Sequence, residues 1–270
     1  MASKRTKTFS ITTIPGFTTL AIITFLVLYA PIATLVIYSF NGGTSVAAWG
    51  GFSTKWYAVA WENSQVQEAT LRSVFIATLA SAIATTLATM AALGTTRRGK
   101  YKGWNFIYLL INQPIIVPEI VTAVALLIFF ASIKVATGYT GLGYLIAAHS
   151  AFCIPFAYLP IRARLEGMDL TLETAAGDLY ARPFTIFRRI TLPLLAPGIA
   201  AGAMLAFVIS LDDVIITEFV KSAGQDTLPT YMLGQLRRAA TPEVNAISTA
   251  LLVLTVLLLT AFFLLSRKRD

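Results

Sequence analysis

Apolar residues run unbroken through long stretches of this chain instead of recurring on one helical face. Phe17–Phe40, Ser73–Gly94 and Val244–Leu265 carry no charged side chain. Each is longer than the roughly 20 helical residues that cross a ~30 Å hydrocarbon layer. Three more stretches fit with blemishes: about Trp104–Ile133, interrupted only by Glu119; about Leu142–Ile161; and Leu194–Thr217, which holds Asp212 and Asp213. None alternates over about 10 residues as a lipid-facing barrel strand must. The pattern predicts an all-α integral membrane protein with six transmembrane helices, at about 17–40, 73–94, 104–133, 142–161, 194–217 and 244–265. A single membrane domain would cover 1–270.

The polar stretches between the runs are short, with three exceptions. Asn41–Gln67 and Glu218–Thr241 are long enough for small interfacial helices, and the first carries Trp49, Trp56, Tyr57 and Trp61, suited to the headgroup belt. Arg162–Pro193 is the third. Thr171 and Thr174-Ala-Ala, ahead of Pro183 and a basic amphipathic stretch, predict two short helices with a bend near Tyr180–Pro183. A plain basic loop lying on anionic lipid is the alternative. Within the runs, Ala77, Ser81 and Thr85 sit four apart, a spacing that lets helix backbones approach closely in lipid. Pro114 and Pro118 each remove a backbone donor and predict a kink, either lining a cavity or without a role.

Composition agrees: 56% hydrophobic and 13% charged, against about 25% charged in soluble domains. Charge then gives direction. With the amino terminus inside, the inner segments hold Lys4, Arg5 and Lys7; Arg97, Arg98, Lys100 and Lys102; Arg162, Arg164, Arg182, Arg188 and Arg189; and Arg267, Lys268 and Arg269. These are 15 of the 21 lysines and arginines. The bias predicts both termini in the cytoplasm, and it accounts for the net charge of +8 without nucleic acid. The first run is too long for a signal peptide and has no A-x-A site after it, so it is expected to stay as an anchor.

Candidate chemistry is sparse. Gly94–Tyr101, GTTRRGKY, nearly matches a phosphate-cradling loop. Tyr101 stands where magnesium needs a small hydroxyl, and the stretch follows a membrane helix rather than a strand. It reads as a basic turn, so the chain is not expected to bind ATP itself. His149, the single histidine, lies in an apolar span without metal-ligand spacing and reads as a satisfied core residue. Cys153 reads as a buried, inert thiol. No G-x-S-x-G elbow occurs. An enzyme and a metal site are therefore not expected.

The inner segment LETAAGDLYARPFTIFRRITLP resembles the loop of ABC-importer permease subunits, whose pattern is E-A-A, three residues, G, nine residues, I-x-L-P. Thr174, Ala175 and Ala176 take the first part, Tyr180 the glycine position, and Ile190 to Pro193 the last. Thr174 replaces the glutamate, with Glu173 one residue early. Tyr180 replaces the glycine and lacks its freedom at positive φ, which argues against a tight turn there. GFSTKWYAVAWEN, SLDDVIITEFV and TLPTYMLGQLRRAATPEVNAISTALLV are similar to the second permease subunit of spermidine/putrescine importers.

The resemblance implies a type I ABC-importer permease fold in the bacterial inner membrane. It further implies a homologous second permease as heterodimer partner, an ATPase dimer that carries the ATP and magnesium, and a periplasmic substrate-binding protein. About 165–193 would couple to the ATPase through Glu173, Thr174, Ala175, Ala176, Asp178, Tyr180, Ile190, Leu192 and Pro193.

The acids can be placed without the family. From Trp104 to Glu119 in span three is ~22 Å along a helix, and from Gly198 to Asp212 in span five ~21 Å. All three acids thus share a depth. Helix neighbours point ~100° apart, so one aspartate is expected to face the cavity that Glu119 faces. An intramembrane carboxylate costs at least ~2.5 kcal/mol and is by default functional. Carboxylates at one depth with no nearby cation suit a polycation, so Glu119, Asp212 and Asp213 are candidate pathway residues. Two alternatives stand: span five stops near Ser210, leaving the aspartates as a wet cap of an outer helix, or the acids pair with a partner's arginine. The function expected is an ATP-driven importer's permease for polyamines; a permease for another small solute and an ion-coupled secondary transporter are the rivals.

Overall fold

The computed structural model describes residues 16–46, 48–97, 101–238 and 241–267. Lys4, Arg5, Lys7, Arg98, Lys100, Lys268 and Arg269 lie outside them. The described residues form α1 (Phe17–Tyr38), α2 (Lys55–Glu62), α3 (Ser64–Thr96), α4 (Trp104–Ile116), α5 (Glu119–Thr137), α6 (Gly143–Glu166), α7 (Thr171–Asp178), α8 (Pro183–Ile186), α9 (Leu192–Asp212), α10 (Ile215–Val220), α11 (Leu228–Arg238) and α12 (Pro242–Arg267). A single bridge, Asn41 to Phe52, is the one piece of β pairing among them. Six stretches are long and apolar enough to cross a membrane: Phe17–Tyr38, Ser64–Thr96, Glu119–Thr137, Gly143–Glu166, Pro183–Asp212 and Pro242–Leu264.

The helix bounds depart from the apolar runs for local reasons. α3 starts well before Ser73 because the Asn63 side chain accepts the Gln65 N–H at 3.0 Å and caps a polar first turn. The expected third span is two helices. Pro118 cannot donate and pushes Val117 to ψ 138°, so α4 stops and α5 restarts at Glu119 and runs on to Thr137. The expected fifth span ends at Asp212 instead of Thr217, with Asp213 extended at ψ 132° before α10 begins. At its other end α9 has no true start: α8 runs through a π-helical turn, Phe187–Thr191, directly into it.

The molecule divides into two compact units, Met1–Glu62 with Gln235–Val253, and Asn63–Gly234 with Leu254–Asp270. In the first, Asn41 organises the loop after α1. Its amide donates to Ser45 O and Ala48 O (2.9 and 2.8 Å), and its oxygen accepts from Gly43 and Gly50 N–H (3.0 and 2.7 Å), so both ends of the amide are used. α2 follows, a short helix within the segment expected to be long enough for one.

The second unit is built on α3, α6 and α9, each packed on the other two. Small residues make this possible. Ala77, Ser81 and Thr85 of α3 are buried as their spacing predicted. On α9, a Cβ on Gly202 would lie 2.7 Å from Ala157 O of α6, and one on Gly198 would lie 2.7 Å from Arg164 Cβ. α4 joins through its start: Trp104 Nε1 donates to Thr95 O at 3.0 Å, Tyr158 and Thr95 share a hydroxyl bond at 2.9 Å, and the Arg162 guanidinium lies 4.9 Å from the Tyr108 ring. Beyond α10, Lys221 bridges Glu218 (2.5 Å) and Asp226 (2.6 Å). Burial alone would lower its pKa, but the two carboxylates hold it above the ordinary lysine value.

Candidate functional site

The three acids meet. Glu119, Asp212 and Asp213 line one cavity of about 390 Å³, walled by Phe152 and Phe156 of α6, Val208 and Ile209 of α9, and Val214 and Ile215. No basic side chain is among these lining residues. Each acid owes its place to a helix interruption: Glu119 to the Pro118 restart, the aspartates to the end of α9. The expectation that one aspartate would face away is corrected here. It assumed a continuous helix, and the chain leaves helical geometry between Asp212 and Ile215, so the ~100° offset does not apply.

The two aspartates differ in surroundings. Asp213 is buried, and it caps α10. Its Oδ2 accepts from Thr217 N–H (2.8 Å) and the Thr217 hydroxyl (2.7 Å), and its Oδ1 accepts from Ile216 N–H (3.3 Å). The alternative of an outer-helix cap therefore holds for Asp213, except that the cap is dry at 6% exposure. Asp212 is exposed and Glu119 half-buried. Both line the cavity together with Asp213.

His149 is the residue that sequence reading set aside. It is buried, as expected, with Nδ1 2.8 Å from Ser210 Oγ and Nε2 2.9 Å from Thr217 Oγ1. It is a satisfied core histidine, yet its Nε2 also lies 3.4 Å from Asp213 Oδ2. The only signal in the sequence was its type, since nothing in its spacing points at residues some sixty positions away. Cys153 is likewise buried, its thiol 3.5 Å from Ala206 O.

The inner segment forms α7 and α8 with a bend at Leu179–Arg182. Asp169 accepts the Thr171 N–H at 2.9 Å, and this bond keeps its carboxyl below the ordinary aspartate value. Glu173 Oε1 accepts from Arg97 Nη2 at 2.8 Å and from the Thr191 hydroxyl at 2.9 Å. It thereby ties α7 to the end of α3 and to the π-helical turn. Thr174 folds its hydroxyl onto Leu170 O at 3.1 Å.

The turn that a tyrosine argued against is present. Tyr180 adopts φ 59°, its N–H bonds Gly177 O at 2.9 Å, and Ala181 N–H bonds Ala176 O at 3.0 Å. This pair of bonds is a Schellman closure, and it satisfies the last carbonyls of α7 at the cost of left-handed backbone on a residue with a Cβ. Ala175, Asp178, Tyr180 and Pro193 are exposed, and Ala176, Ile190 and Leu192 are half-buried.

The second unit is thus a set of apolar helices, two of them broken, around an acidic cavity. The chain belongs to the family described as binding-protein-dependent transport system inner membrane component, whose model matches residues 84–268. It is a permease subunit.

Among curated relatives, it is 38% identical over 231 residues to the putrescine transport system permease protein PotI of Escherichia coli (strain K12), covering 84% of this chain and 82% of that one. It is 35% identical over 242 residues to the spermidine/putrescine transport system permease protein PotC of the same strain, with 90% of each covered. The fold matches a solved bacterial ABC transporter involved in the import of the acidic polysaccharide alginate, with TM-score 0.71, 16% identity and 92% of each chain covered. It also matches the MetNI methionine ABC transporter, with TM-score 0.57, 18% identity, 77% of this chain and 99% of that chain covered.

Proposed function

We propose that this chain forms half of the transmembrane pathway of an ATP-driven polyamine importer in the bacterial inner membrane, with both termini cytoplasmic. The observation that carries the reading is the cavity: three carboxylates, aromatic and aliphatic walls, and no basic side chain among its lining residues. An alkyl chain ending in ammonium groups is complementary to such walls. Glu119 and Asp212 offer carboxylates to the ammonium, Phe152 and Phe156 offer ring faces worth ~0.5–2 kcal/mol each to a cation, and Ile209 and Ile215 offer apolar surface to methylenes. An anionic solute would meet only repulsion there.

Transport on this reading is alternating access, a change between two packings of the helices without chemistry on the solute. A homologous permease supplies the other half, a periplasmic binding protein delivers substrate, and a separate ATPase dimer binds ATP and magnesium. The segment around 165–193 takes up the ATPase movement. Its exposed Leu172, Leu179, Tyr180 and Phe184 offer apolar contact, and the Arg97–Glu173–Thr191 tie passes displacement to α3 and α9.

The test is uptake of radiolabelled putrescine and spermidine in transport-deficient cells, with the chain expressed alone and together with its neighbouring operon products. The expected result is uptake that requires the ATPase and is competed by excess unlabelled polyamine. Uptake by the chain alone would make it a secondary transporter. ATPase-dependent uptake of a different solute, with polyamine ignored, would overturn the substrate class.

A further inference from the structure

The proposed pathway uses Glu119, Asp212 and the cavity walls, and leaves His149 without a task. Yet His149 is buried within α6 at 1% exposure, and it does not line the cavity. Its hydrogen bonds can be given directions. The Thr217 hydroxyl has one proton and donates it to Asp213 Oδ2 at 2.7 Å. The Thr217 oxygen can then only accept from His149, so Nε2 carries the N–H across 2.9 Å. Nδ1 meets the Ser210 hydroxyl at 2.8 Å. The bonds join Ser210, His149, Thr217 and Asp213 in one chain, from the last turn of α9 through α6 to the first turn of α10.

This chain of bonds sits on the α9–α10 interruption, where no helical backbone bonds hold the two segments in register. Ser210 lies two residues before Asp212, and Thr217 lies four after Asp213. The imidazole bolts both sides of the break to the buried helix α6. α10 in turn packs against α5, whose first residue is Glu119. α10 thus touches the element that carries Glu119, and His149 bonds Thr217 of α10.

We infer that His149 is a positioning residue for transport: it fixes the α9–α10 break, and through it the separation of the Glu119 and Asp212 carboxylates that hold the cation. It touches no substrate. The transport arm of the test rests on the polyamine reading above; a geometric arm does not.

Two substitutions separate the role from mere packing. His149→Gln keeps an N–H donor toward Thr217 and an oxygen acceptor toward Ser210, whereas His149→Phe keeps a ring of similar shape and neither bond. In the assembled transporter, His149→Phe is expected to raise KM for putrescine about tenfold or more with a smaller loss of maximal rate, as expected for loss of a buried hydrogen bond that positions binding groups. His149→Gln is expected to restore KM to within about threefold of the parent. Ser210→Ala, which removes the α9 side of the bolt and leaves the Asp213 cap intact, is expected to raise KM in the same direction, and it stands in should His149→Phe not accumulate in the membrane.

The geometric arm places cysteines at both carboxylate positions, Glu119→Cys with Asp212→Cys, and measures their cross-linking by a short bifunctional thiol reagent. The rate is expected to fall in the His149→Phe background and to persist with His149→Gln. An unchanged cross-linking rate in the Phe background, or a Gln variant as impaired as the Phe variant, overturns the inference. If the parent complex carries no polyamine while cross-linking still depends on His149, the polyamine reading fails and the positioning role stands.

Discussion

Asp212 and Asp213 are neighbours in sequence and sit in different surroundings. Both oxygens of Asp213 accept bonds from the first turn of α10, and that turn is buried. Asp212 is exposed to the cavity. Asp213→Ala removes the cap and should destabilise the folded protein by about 1–2 kcal/mol, read as a lower thermal midpoint in detergent. Asp212→Asn should leave that midpoint within about 0.5 kcal/mol of the parent while raising KM for polyamine. Equal thermal loss in both would contradict the division of roles. The acids themselves were legible as costly residues in an apolar run. Which one is structural was not, because that depends on the residue at which α9 ends, and no propensity term places that end between two identical side chains. Tyr180 teaches the same lesson in reverse. Its side-chain type argued against positive φ, and the two Schellman bonds to Ala176 and Gly177 override that preference of about 1–2 kcal/mol.

At the scale of elements, the apolar runs located six membrane crossings but not their ends. A charge-free run marks what lies in hydrocarbon, whereas a helix continues through polar turns when a cap is present, as Asn63 caps α3. Proline was the more informative residue, since Pro118 forecast the interruption that delivers Glu119 to the cavity. The close crossing of α9 on α6 offers a direct check. A methyl group on Gly202 would meet the Ala157 carbonyl, which belongs to the backbone and cannot rotate away. Gly202→Ala should therefore cost about 1–3 kcal/mol through overpacking, whereas Gly94→Ala, where a Cβ meets nothing within 4 Å, should be neutral or stabilising. Thermal unfolding of the two variants in detergent tests the contrast; equal midpoints would mean that the crossing relaxes without cost.

On the scale of the whole molecule, burial is unevenly shared. More than half of the most apolar window of α6 is buried, but none of that of α1. In lipid this asymmetry is inexpensive, because acyl chains cover apolar side chains as well as protein does. α1 thus needs no core to be stable, and its uniform hydrophobicity is a statement about solvent rather than packing. Orientation belongs to this scale too. The bias of lysine and arginine toward four inner segments predicts that tags on both termini resist added protease in intact spheroplasts and are cleaved after permeabilisation. Cleavage of either tag in intact spheroplasts would reverse the topology and, with it, the side from which the cavity is reached.

The sequence alone determined the solvent, the class of structure and the cast of residues. Hydrocarbon imposes one rule on every segment that crosses it, so helices of some 20 apolar residues, small residues at crossings and expensive acids can each be read locally. The pattern from Glu173 to Pro193 could be read for the same reason, as a run of fixed spacing. Tertiary structure decided what the cast does together. The meeting of Glu119, Asp212 and Asp213 at one cavity and the bonds of His149 to Ser210 and Thr217 join α5, α6, α9 and α10 across gaps of tens of residues. A hydrogen bond depends on distances of a few tenths of an ångström and on which donor has a free proton. Neither is written in the order of residues; both follow only once the helices have packed.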